Sequence, residues 1–388
     1  MITRDELRYL AQIENTHDSA ISFYFQPRTP QDKSHREESI LVKDMVRDAL
    51  RHAERAGGDP KVKQDLLRIL QKAEQWKGGS KAKVVFACAA QDVWREFDVP
   101  PRLTRSQLIV NDRFHLKPLA RLVEAFPRTS VVVIDREHAR FFTIRAGEIE
   151  ASGEIFNPLP RKVRSDGFAG YNAGHIERHI ENEGMKHMKE VADHLRDMHR
   201  NAGCERFLIG CREDAWPELE SHLHPYVRQR LVGRFTVDPG LASKDVVLQQ
   251  ANRLLEEHGG SERRGVVREA LGEAHRNGRG AVGLRHVLQS LEKGEVQALL
   301  VGEDFSATAS RCASCGHMDT RMVRHCAVCA GDTLEVDDVA DALVGLAIKN
   351  GIKVVYVRDE PDFEHAGNIG ALLRFRADQN TTQKKIAS

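Results

Sequence analysis

The sequence predicts a three-domain α/β (α+β) protein, and three observations support that class. Short apolar runs typical of buried strands recur along the chain, at 82–89, 130–135 and 296–302. Amphipathic segments with helical spacing lie between them. Turn-forming residues at Phe126-Pro127 and Asp238-Pro239-Gly240 separate the pattern into parts, and 388 residues are enough for two or three hydrophobic cores. We therefore expect an N-terminal domain over 1–127, a central domain over 128–240 and a C-terminal domain over 241–388.

The N-terminal domain is expected to alternate helices and strands. A first helix ends near Ile13, and the apolar run at 20–25 forms the first strand. Apolar residues at three- to four-residue spacing then predict two long helices, at 39–55 and 60–75. The remaining strands of this domain are expected at 82–89, 92–99 and 106–110.

The other two domains repeat the pattern with more buried strands. The central domain opens with a strand hairpin, which we expect to be followed by a long helix ending near Asn201. Its strands are predicted at 130–135, 139–147, 206–211 and 231–237, with a short helix at 216–223. The C-terminal domain is predicted as an α/β/α sandwich with helices at 243–257, 266–275, 284–293 and 336–350, and strands at 296–302, 353–357 and 371–376.

The composition is that of an ordinary globular protein, with 41% hydrophobic and 30% charged residues. No apolar run approaches the roughly 20 residues of a membrane helix, and the first residues do not read as a signal peptide, so we expect a cytoplasmic protein. The net charge is +1, which gives no global attraction to nucleic acid. Any contact with RNA must therefore come from local patches.

A basic, glycine-rich loop at 161–175 is the most informative stretch of the chain. Gly167, Gly170 and Gly174 allow left-handed backbone conformations, so the loop is free to project from its domain. Behind it an apolar stripe at helical spacing predicts one long helix. The stripe consists of Ile176, Ile180, Met188, Val191, Leu195 and Met198.

Four of the seven cysteines form the pattern Cys312-x-x-Cys315 and Cys326-x-x-Cys329. Two such pairs supply four thiolates with the reach for a tetrahedral ion, which predicts a structural zinc site in a minidomain at about 306–336. Free thiols, a redox pair or an iron–sulfur cluster are the alternatives. His317 and His325 lie beside the cysteines and are expected to be bystanders. Cys88, Cys204 and Cys211 read as small buried residues.

The order of several segments resembles the family of eukaryotic and archaeal class-I release factors and Pelota. Asn111-Asp112-Arg113-Phe114-His115 resembles the signature that closes the family's first domain, and TSVVVIDREHARFFTIRAGEI resembles the opening hairpin of its second. HVLQSLEKGEVQALLVGEDF and the closing Asn368–Phe375, NIGALLRF, resemble its third domain. The resemblance covers nearly the whole length and implies a tRNA-mimicking architecture. Archaeal relatives also carry a zinc-bearing minidomain in the third domain.

Two functional motifs of the release factors are missing from this sequence. The place of Gly-Gly-Gln, which enters the peptidyl-transferase centre, reads Gly167–Asn172, GFAGYN, and Gly-Gly-Gln occurs nowhere in the chain. The loop that reads the stop codon lacks an Asn-Ile-Lys-Ser-like motif and reads Gln31–Arg36, QDKSHR. We therefore expect no catalytic residues and no peptide release.

With both motifs lost, the chain resembles the bacterial group that includes the ribosome hibernation factor Balon. The resemblance implies binding in the ribosomal A site, contacts with 23S and 16S rRNA, and a partnership of the monomer with elongation factor Tu or another translational GTPase. Residues expected to contact rRNA on the peptidyl-transferase side are Arg161, Lys162, Arg164, Phe168, Gly170, Tyr171, Asn172 and His175. Those expected at the decoding centre are Lys33, His35 and Arg36.

Other functions remain open at this stage. One alternative is a rescue or peptidyl-tRNA-cleaving factor in which Tyr171-Asn172 takes the place of the catalytic glutamine. Another is a Pelota-like adaptor that recruits a GTPase to stalled ribosomes and splits them. The alternative to rRNA contact for the loop at 161–175 is a mobile solvated loop. His175, Glu177 and His179 share a helix face as metal ligands do, although an exposed polar face explains them better.

Overall fold

The computed structural model describes residues 3–13, 19–27, 36–55, 60–76, 81–100, 103, 105–145, 147–159 and 170–376. The chain is mixed α/β, as the sequence predicts. It divides into two compact units, Met1–Glu124 with Arg263–Ser388, and Ala125–Glu262. The expected first and third domains thus contribute to one unit, each with its own sheet. The three-domain division itself stays a prediction.

The N-terminal segment is an antiparallel sheet with helices on both faces. Its elements are α1 (Arg4–Ala11), β1 (Ala20–Phe25), α2 (Arg36–Arg55), α3 (Pro60–Gln75), β2 (Ala82–Cys88), β3 (Val93–Val99), β4 (Gln107–Asn111) and α4 (Lys117–Ala125). The strand order is β3-β2-β1-β4. Because successive side chains of a strand point to opposite faces, Phe23 packs with α2 and α3, whereas Tyr24 and Phe86 enter a second core on the other face.

The central unit is a five-stranded sheet covered by helices on both faces. Its elements are β5 (Thr129–Ile134), β6 (His138–Arg145), β7 (Glu148–Phe156), α5 (Gly170–Ala202), β8 (Arg206–Cys211), α6 (Trp216–His222), α7 (Pro225–Arg228), β9 (Leu231–Thr236) and the first part of α8 (Lys244–His275). The strand order is β7-β6-β5-β8-β9. Helices α5, α6 and α7 bury one face of the sheet, and Val247 and Ala251 of α8 help to bury the other.

The C-terminal segment contains a four-stranded sheet and a small three-stranded one. Its elements are β10 (Gly280–Val282), α9 (Leu284–Glu292), β11 (Val296–Gly302), β12 (Ala309–Cys312), β13 (Met318–Asp319), β14 (Thr333–Val336), α10 (Val339–Lys349), β15 (Lys353–Val357), α11 (Pro361–His365) and β16 (Ile369–Leu373). The larger sheet has the order β10-β16-β11-β15, and the smaller one β13-β12-β14. Leu299 and Leu343 share one core with Tyr24 and Phe86 of the N-terminal segment.

Most of the predicted strands and helices lie where the sequence places them, but several elements differ or were not predicted. The expected pair of helices at 243–257 and 266–275 is the single helix α8, which continues through Gly259 and Gly260. Each glycine costs a helix about 1 kcal/mol relative to alanine, and apolar residues buried on both sides of the pair offset that cost. Helix α10 begins at Val339, not 336, because the Asp338 side chain accepts the N–H of Asp341 as an N-cap.

The long helix of the central unit also differs from its prediction at the N-terminal end. It begins at Gly170, so Gly170 and Gly174 lie in its first turns and not in the expected loop. Glycine permits a left-handed conformation but does not require one. The end at Ala202 agrees with the prediction. Helix α4 and strand β7 were not predicted; β7 is an edge strand whose side chains are mostly exposed, so it has no clear apolar pattern.

One buried carboxylate, Asp341 of α10, joins the C-terminal segment to the turn before α4. Asp341 is 6% exposed. Its Oδ1 accepts the backbone N–H of Lys117 at 3.0 Å and lies 3.0 Å from Nδ1 of His115. The ammonium group of Lys117 donates to the carbonyl of Phe305 at 2.9 Å and lies 3.8 Å from the carboxylate of Asp338. The turn is therefore fixed to the C-terminal segment by both backbone and side chain.

The same turn is held from the N-terminal sheet. Ser22 Oγ accepts the N–H of His115 at 2.9 Å, and the Tyr24 hydroxyl donates to the His115 carbonyl. The Tyr356 hydroxyl donates to the Lys117 carbonyl at 3.1 Å. Burial raises the pKa of Tyr24 and of Tyr356 well above the ordinary value, so both hydroxyls keep the proton that they donate.

We expect Asp341→Ala to lower the free energy of unfolding by about 2–4 kcal/mol, because it leaves the Lys117 amide and the His115 ring without their buried acceptor. Asp337→Ala, at an exposed position four residues earlier, is the matched control and should change stability by less than about 0.5 kcal/mol. Urea unfolding of both variants measures the difference. Equal stability of the two variants would contradict the role given to Asp341.

Candidate metal centre and the long helix

Two turns of the C-terminal segment present the four cysteines, and the turns share two equivalent main-chain hydrogen bonds. The N–H of Cys312 donates to the carbonyl of His317, and the N–H of Cys326 donates to the carbonyl of Gly331, both at 2.8 Å. One residue after the second cysteine of each pair, the chain takes a left-handed conformation. This gives a φ of 74° at Gly316 and 61° at Ala330.

Backbone amides in these turns point at the first sulfur of each pair. The N–H groups of Ser314 and Cys315 lie 3.4 Å from Sγ of Cys312, and the N–H of Val328 lies 3.4 Å from Sγ of Cys326. Amide donors stabilise a thiolate. Led by the amide of Cys315, they lower the pKa of Cys312 to about 6. The first turn therefore favours, at Cys312, the charged form in which cysteine binds a metal.

The four sulfurs converge on one point. Sγ of Cys312 and Cys329 are 3.4 Å apart, Sγ of Cys315 and Cys326 are 3.6 Å apart, and all four lie within 4.8 Å of one another. A tetrahedral ion with metal–sulfur bonds of about 2.3 Å needs sulfurs about 3.8 Å apart. The cluster can therefore hold one metal ion, and four protein ligands leave no open position for substrate.

The neighbouring histidines are engaged elsewhere, as the sequence suggests. Nδ1 of His317 lies 2.6 Å from Oε1 of Glu292, and Nδ1 of His325 lies 3.4 Å from Oδ1 of Asp332. The three remaining cysteines are buried, and burial raises the pKa of Cys204 and Cys211 to about 11. These thiols stay protonated, as expected of small core residues.

The expected rRNA contacts fall mostly where the structure gives no side-chain position. Arg161, Lys162, Arg164 and Phe168 lie outside the described residues, as do Lys33 and His35. Gly170, Tyr171, Asn172 and His175 belong to the first turns of α5, and Arg36 opens α2; only their backbone is described. The structure thus puts Tyr171 and Asn172 on a helix, and these RNA contacts stay predictions.

Helix α5 is anchored in the central unit through its C-terminal half. Met188, Val191 and Leu195 of the predicted stripe are fully buried against the sheet, Met198 is partly buried and Ile180 is half-buried. Among the positions from 177 onward whose burial is described, Gly184 is the first buried one, whereas residues 177–179, 181 and 182 are exposed. The helix is therefore buried from Gly184 toward its C-terminal end and mostly exposed over 177–182.

A histidine that the sequence analysis overlooked lies where α5 enters the core. His187 is fully buried, and its Nδ1 lies 3.1 Å from the amide nitrogen of Asn157, which also donates to Glu190 at 2.7 Å. Its Nε2 makes no well-formed hydrogen bond with any described residue. Burial lowers the pKa of His187 and outweighs the opposing effects of the His138 backbone and of the Asp135 and Glu190 carboxylates. In the sequence, the burial of His187 is indicated by its position directly before Met188 of the apolar stripe.

The comparisons with known proteins agree with this architecture. Residues 115–256 match the model of the bacterial archaeo-eukaryotic release factor family 10. Peptide chain release factor subunit 1 of Archaeoglobus fulgidus is 24% identical over 290 residues, which are 69% of this chain and 70% of the relative. Peptide chain release factor subunit 1-1 of Methanosarcina acetivorans is 24% identical over 311 residues, 72% and 74% of the two chains.

These matches show that the chain is similar to release factors. Solved structures of a release factor and of Pelota also align along most of the chain. The archaeal translation termination factor aRF1 covers 96% of this chain and 99% of its own, with 15% identity and a TM-score of 0.26. Archaeal Pelota in a model of its ribosome-bound form with ABCE1 covers 96% and 94%, with 15% identity and a TM-score of 0.42. No described helix combines the length and apolar character that a membrane span requires.

We expect the purified protein to carry about one thiophilic divalent metal ion per chain, measured by elemental mass spectrometry. Cys315→Ser and Cys326→Ser should each reduce that content at least severalfold and lower the melting temperature, because a ligand and its charge are lost. Ser314→Ala, in the same turn but outside the ligand set, should keep the metal. Full metal content in both cysteine variants would rule out a four-sulfur site.

Ala330→Gly should stabilise the second turn, because alanine with a φ of 61° pays a steric cost that glycine at the equivalent position, Gly316, does not. We expect a gain of about 0.5–1 kcal/mol, measured as a higher melting temperature of the metal-loaded protein. Gly331→Ala is the opposite control, since an added Cβ would lie 2.6 Å from Oγ of Ser314. A less stable Ala330→Gly variant would contradict the equivalence of the turns.

His187 should make the central unit sensitive to acid. Its pKa is lowered in the folded protein, so below the ordinary value of 6.5 the unfolded chain binds a proton that the folded chain does not. Stability is fully present above that pH and falls as the pH drops through it, by up to about 1.4 kcal/mol per pH unit for the one proton taken up on unfolding. His187→Gln removes this dependence, so chemical unfolding at pH 7.5, 6.5 and 5.5 should show a smaller loss in the variant. His179→Gln, at an exposed position of the same helix, should behave as the wild type.

Proposed function

We propose that this chain is a ribosome-binding translation factor that occupies the A site without releasing peptide, as a hibernation factor does. The observation that carries the proposal is a contrast within one segment. The central unit matches a release-factor family model over residues 115–256, yet the segment that leads into α5 reads Gly167–Asn172 and contains no Gly-Gly-Gln. The related framework is kept while the group that acts on the ester is missing.

The chemistry of peptide release explains why the replacement residues are poor substitutes. Asn172 offers an amide, but its side chain is one methylene shorter than glutamine, and a misplacement of about 1 Å at a reacting centre can reduce the rate about 100-fold. Its backbone also belongs to the first turn of α5. We therefore propose that the chain is not an enzyme and that Asn172 contributes binding only.

The same proposal assigns the partners and the metal. Arg161, Lys162 and Arg164 precede α5 and supply phosphate contacts in 23S rRNA, with Phe168 and Tyr171 as stacking groups for exposed bases. Lys33, His35 and Arg36 contact 16S rRNA at the decoding centre. The monomer binds there with elongation factor Tu or another translational GTPase in the cytoplasm. Zinc is the ion of the four-cysteine cluster, with a structural role.

We expect the protein to sediment with vacant 70S ribosomes and to release no peptide from ribosomes that carry peptidyl-tRNA. Replacement of Arg161, Lys162 and Arg164 by alanine should weaken sedimentation at least about tenfold, since three phosphate contacts are lost. Replacement of three exposed cations in the C-terminal segment, Arg268, Arg285 and Lys293, is the charge-matched control and should have little effect. A wild-type protein that does not sediment with ribosomes would overturn the proposal.

Two other outcomes would identify the alternatives. Peptide release that Asn172→Ala abolishes would indicate a rescue factor. Subunit dissociation that requires a GTPase would indicate a Pelota-like adaptor. Electron cryo-microscopy of the reconstituted complex locates the chain directly, and density in the A site beside an empty P site is the arrangement expected for hibernation.

A further inference from the structure

A surface at the C-terminal end of α5 presents an exposed tyrosine among imidazole rings. Tyr226 of α7 is 56% exposed. Its ring centroid lies 5.0 Å from that of His224 at an interplanar angle of 31°, and 6.3 Å from that of His199 at 38°. His199 is fixed in turn, because its Nδ1 lies 2.9 Å from the carbonyl of Cys204. The three rings lie side by side with moderate tilts.

The local backbone explains why Tyr226 faces outward. His224 is the N-cap of α7 and its Nδ1 accepts the N–H of Tyr226 at 3.3 Å, while Pro225 occupies the first helical position. The next residue, Val227, is fully buried and anchors the helix in the core. Since consecutive residues of a helix point about 100° apart, Val227 inside leaves Tyr226 outside. The core does not require an aromatic residue at this position.

Two arginines that follow Tyr226 in the chain are held by backbone carbonyls. The guanidinium of Arg228 donates to the carbonyl of Glu220 at 2.6 Å, and that of Arg230 donates to the carbonyl of Tyr226 at 3.2 Å. These acceptors are neutral, and no carboxylate among the described residues forms an ion pair with either arginine. By contrast, Arg234 on the adjacent strand pairs with Glu213 at 2.7 Å. Arg228 and Arg230 are thus oriented by the backbone without being neutralised.

We infer that this surface, made of His199, His224, Tyr226, Arg228 and Arg230, binds RNA with unpaired bases. An exposed aromatic ring stacks on a base, and arginines next to it reach the phosphates on either side. The apolar neighbours Leu223 and Val227 are buried, so the ring has no apolar surround of the kind a protein interface needs. The combination of one ring and unneutralised cations fits RNA better than protein.

The position of this surface would give the ribosome-bound chain a second contact with rRNA. The choice of RNA as the biological partner rests on the proposed function. His199 is 29 residues from Gly170, which corresponds to about 44 Å along α5. The first turns of α5 and the Tyr226 surface therefore mark the two ends of one helix. A ribosome-bound chain would contact rRNA at both ends and resist rotation about either.

The test measures binding of a fluorescein-labelled, unstructured 20-nucleotide RNA by anisotropy, alongside sedimentation with 70S ribosomes. Tyr226→Ala should weaken RNA binding at least about fivefold, which is the effect of losing one base–aromatic stack. Tyr226→Phe keeps the ring and should stay within about twofold of the wild type. Arg228→Gln should weaken binding and reduce the slope of log affinity against log salt by about one.

Tyr9→Ala is the matched control, because Tyr9 is also an exposed tyrosine, 43% accessible, but lies on α1 of the other unit. It should bind RNA as the wild type does. Melting temperatures of all variants show whether a loss of binding reflects unfolding, and Tyr226→Phe separates the two if the alanine variant is unstable.

The outcomes distinguish this inference from the proposed function. Wild-type binding by Tyr226→Ala, or no RNA binding by the wild type, overturns the RNA surface and leaves ribosome sedimentation to be judged by itself. Tyr226-dependent RNA binding by a protein that does not sediment with ribosomes supports the surface and overturns the proposed function. Loss of ribosome binding in Tyr226→Ala with unchanged RNA binding would assign the surface to a protein partner and overturn the inference.

Discussion

The buried carboxylate of Asp341 is the interaction on which the larger unit depends. It accepts the Lys117 amide and faces the His115 imidazole, so a helix near the C-terminus holds a turn more than 200 residues earlier in the chain. A buried acceptor with two donors is stable only while both remain in place. The N-terminal sheet and the C-terminal sheet share one core because this turn, with its tyrosine donors, is fixed between them.

Sequence patterns predict the strands and helices that bury one face or their whole surface. They do not predict elements that bury little surface. The continuous apolar runs of β5, β8 and β11 predict their strands almost to the residue. The edge strand β7 has little buried surface and left no pattern, and the glycine pair at 259–260 hid the continuity of α8 because tertiary packing outweighs propensity. At the cysteine site the spacing predicts the four ligands. It does not predict the left-handed conformation of Ala330, which is recognised by comparison with Gly316 at the equivalent position of the other turn.

The two notable parts of the chain have different relations to function. The cysteine cluster would supply all four ligands of a tetrahedral ion, which would leave no coordination position for a reactant. In the proposed function, helix α5 and the segment before it take the place that the resemblance gives to the reactive glutamine, and the sequence contains no Gly-Gly-Gln. The proposal therefore assigns binding, not catalysis, to this helix. The Tyr226 surface would add a second binding end to the same helix.

Helix α5 also has a mechanical consequence. Helix α5 extends about 14 residues, or roughly 20 Å, N-terminal to Gly184, the first buried position among those whose burial is described. A stiff arm of that length converts small rotations at its base into larger displacements at its tip: a tilt of about 5° moves the tip by about 2 Å. His187, whose Nε2 has no well-formed hydrogen bond with a described residue, lies at the base of this arm. Acid, or a ligand that repacks this one site, would therefore be amplified at the far end of the arm.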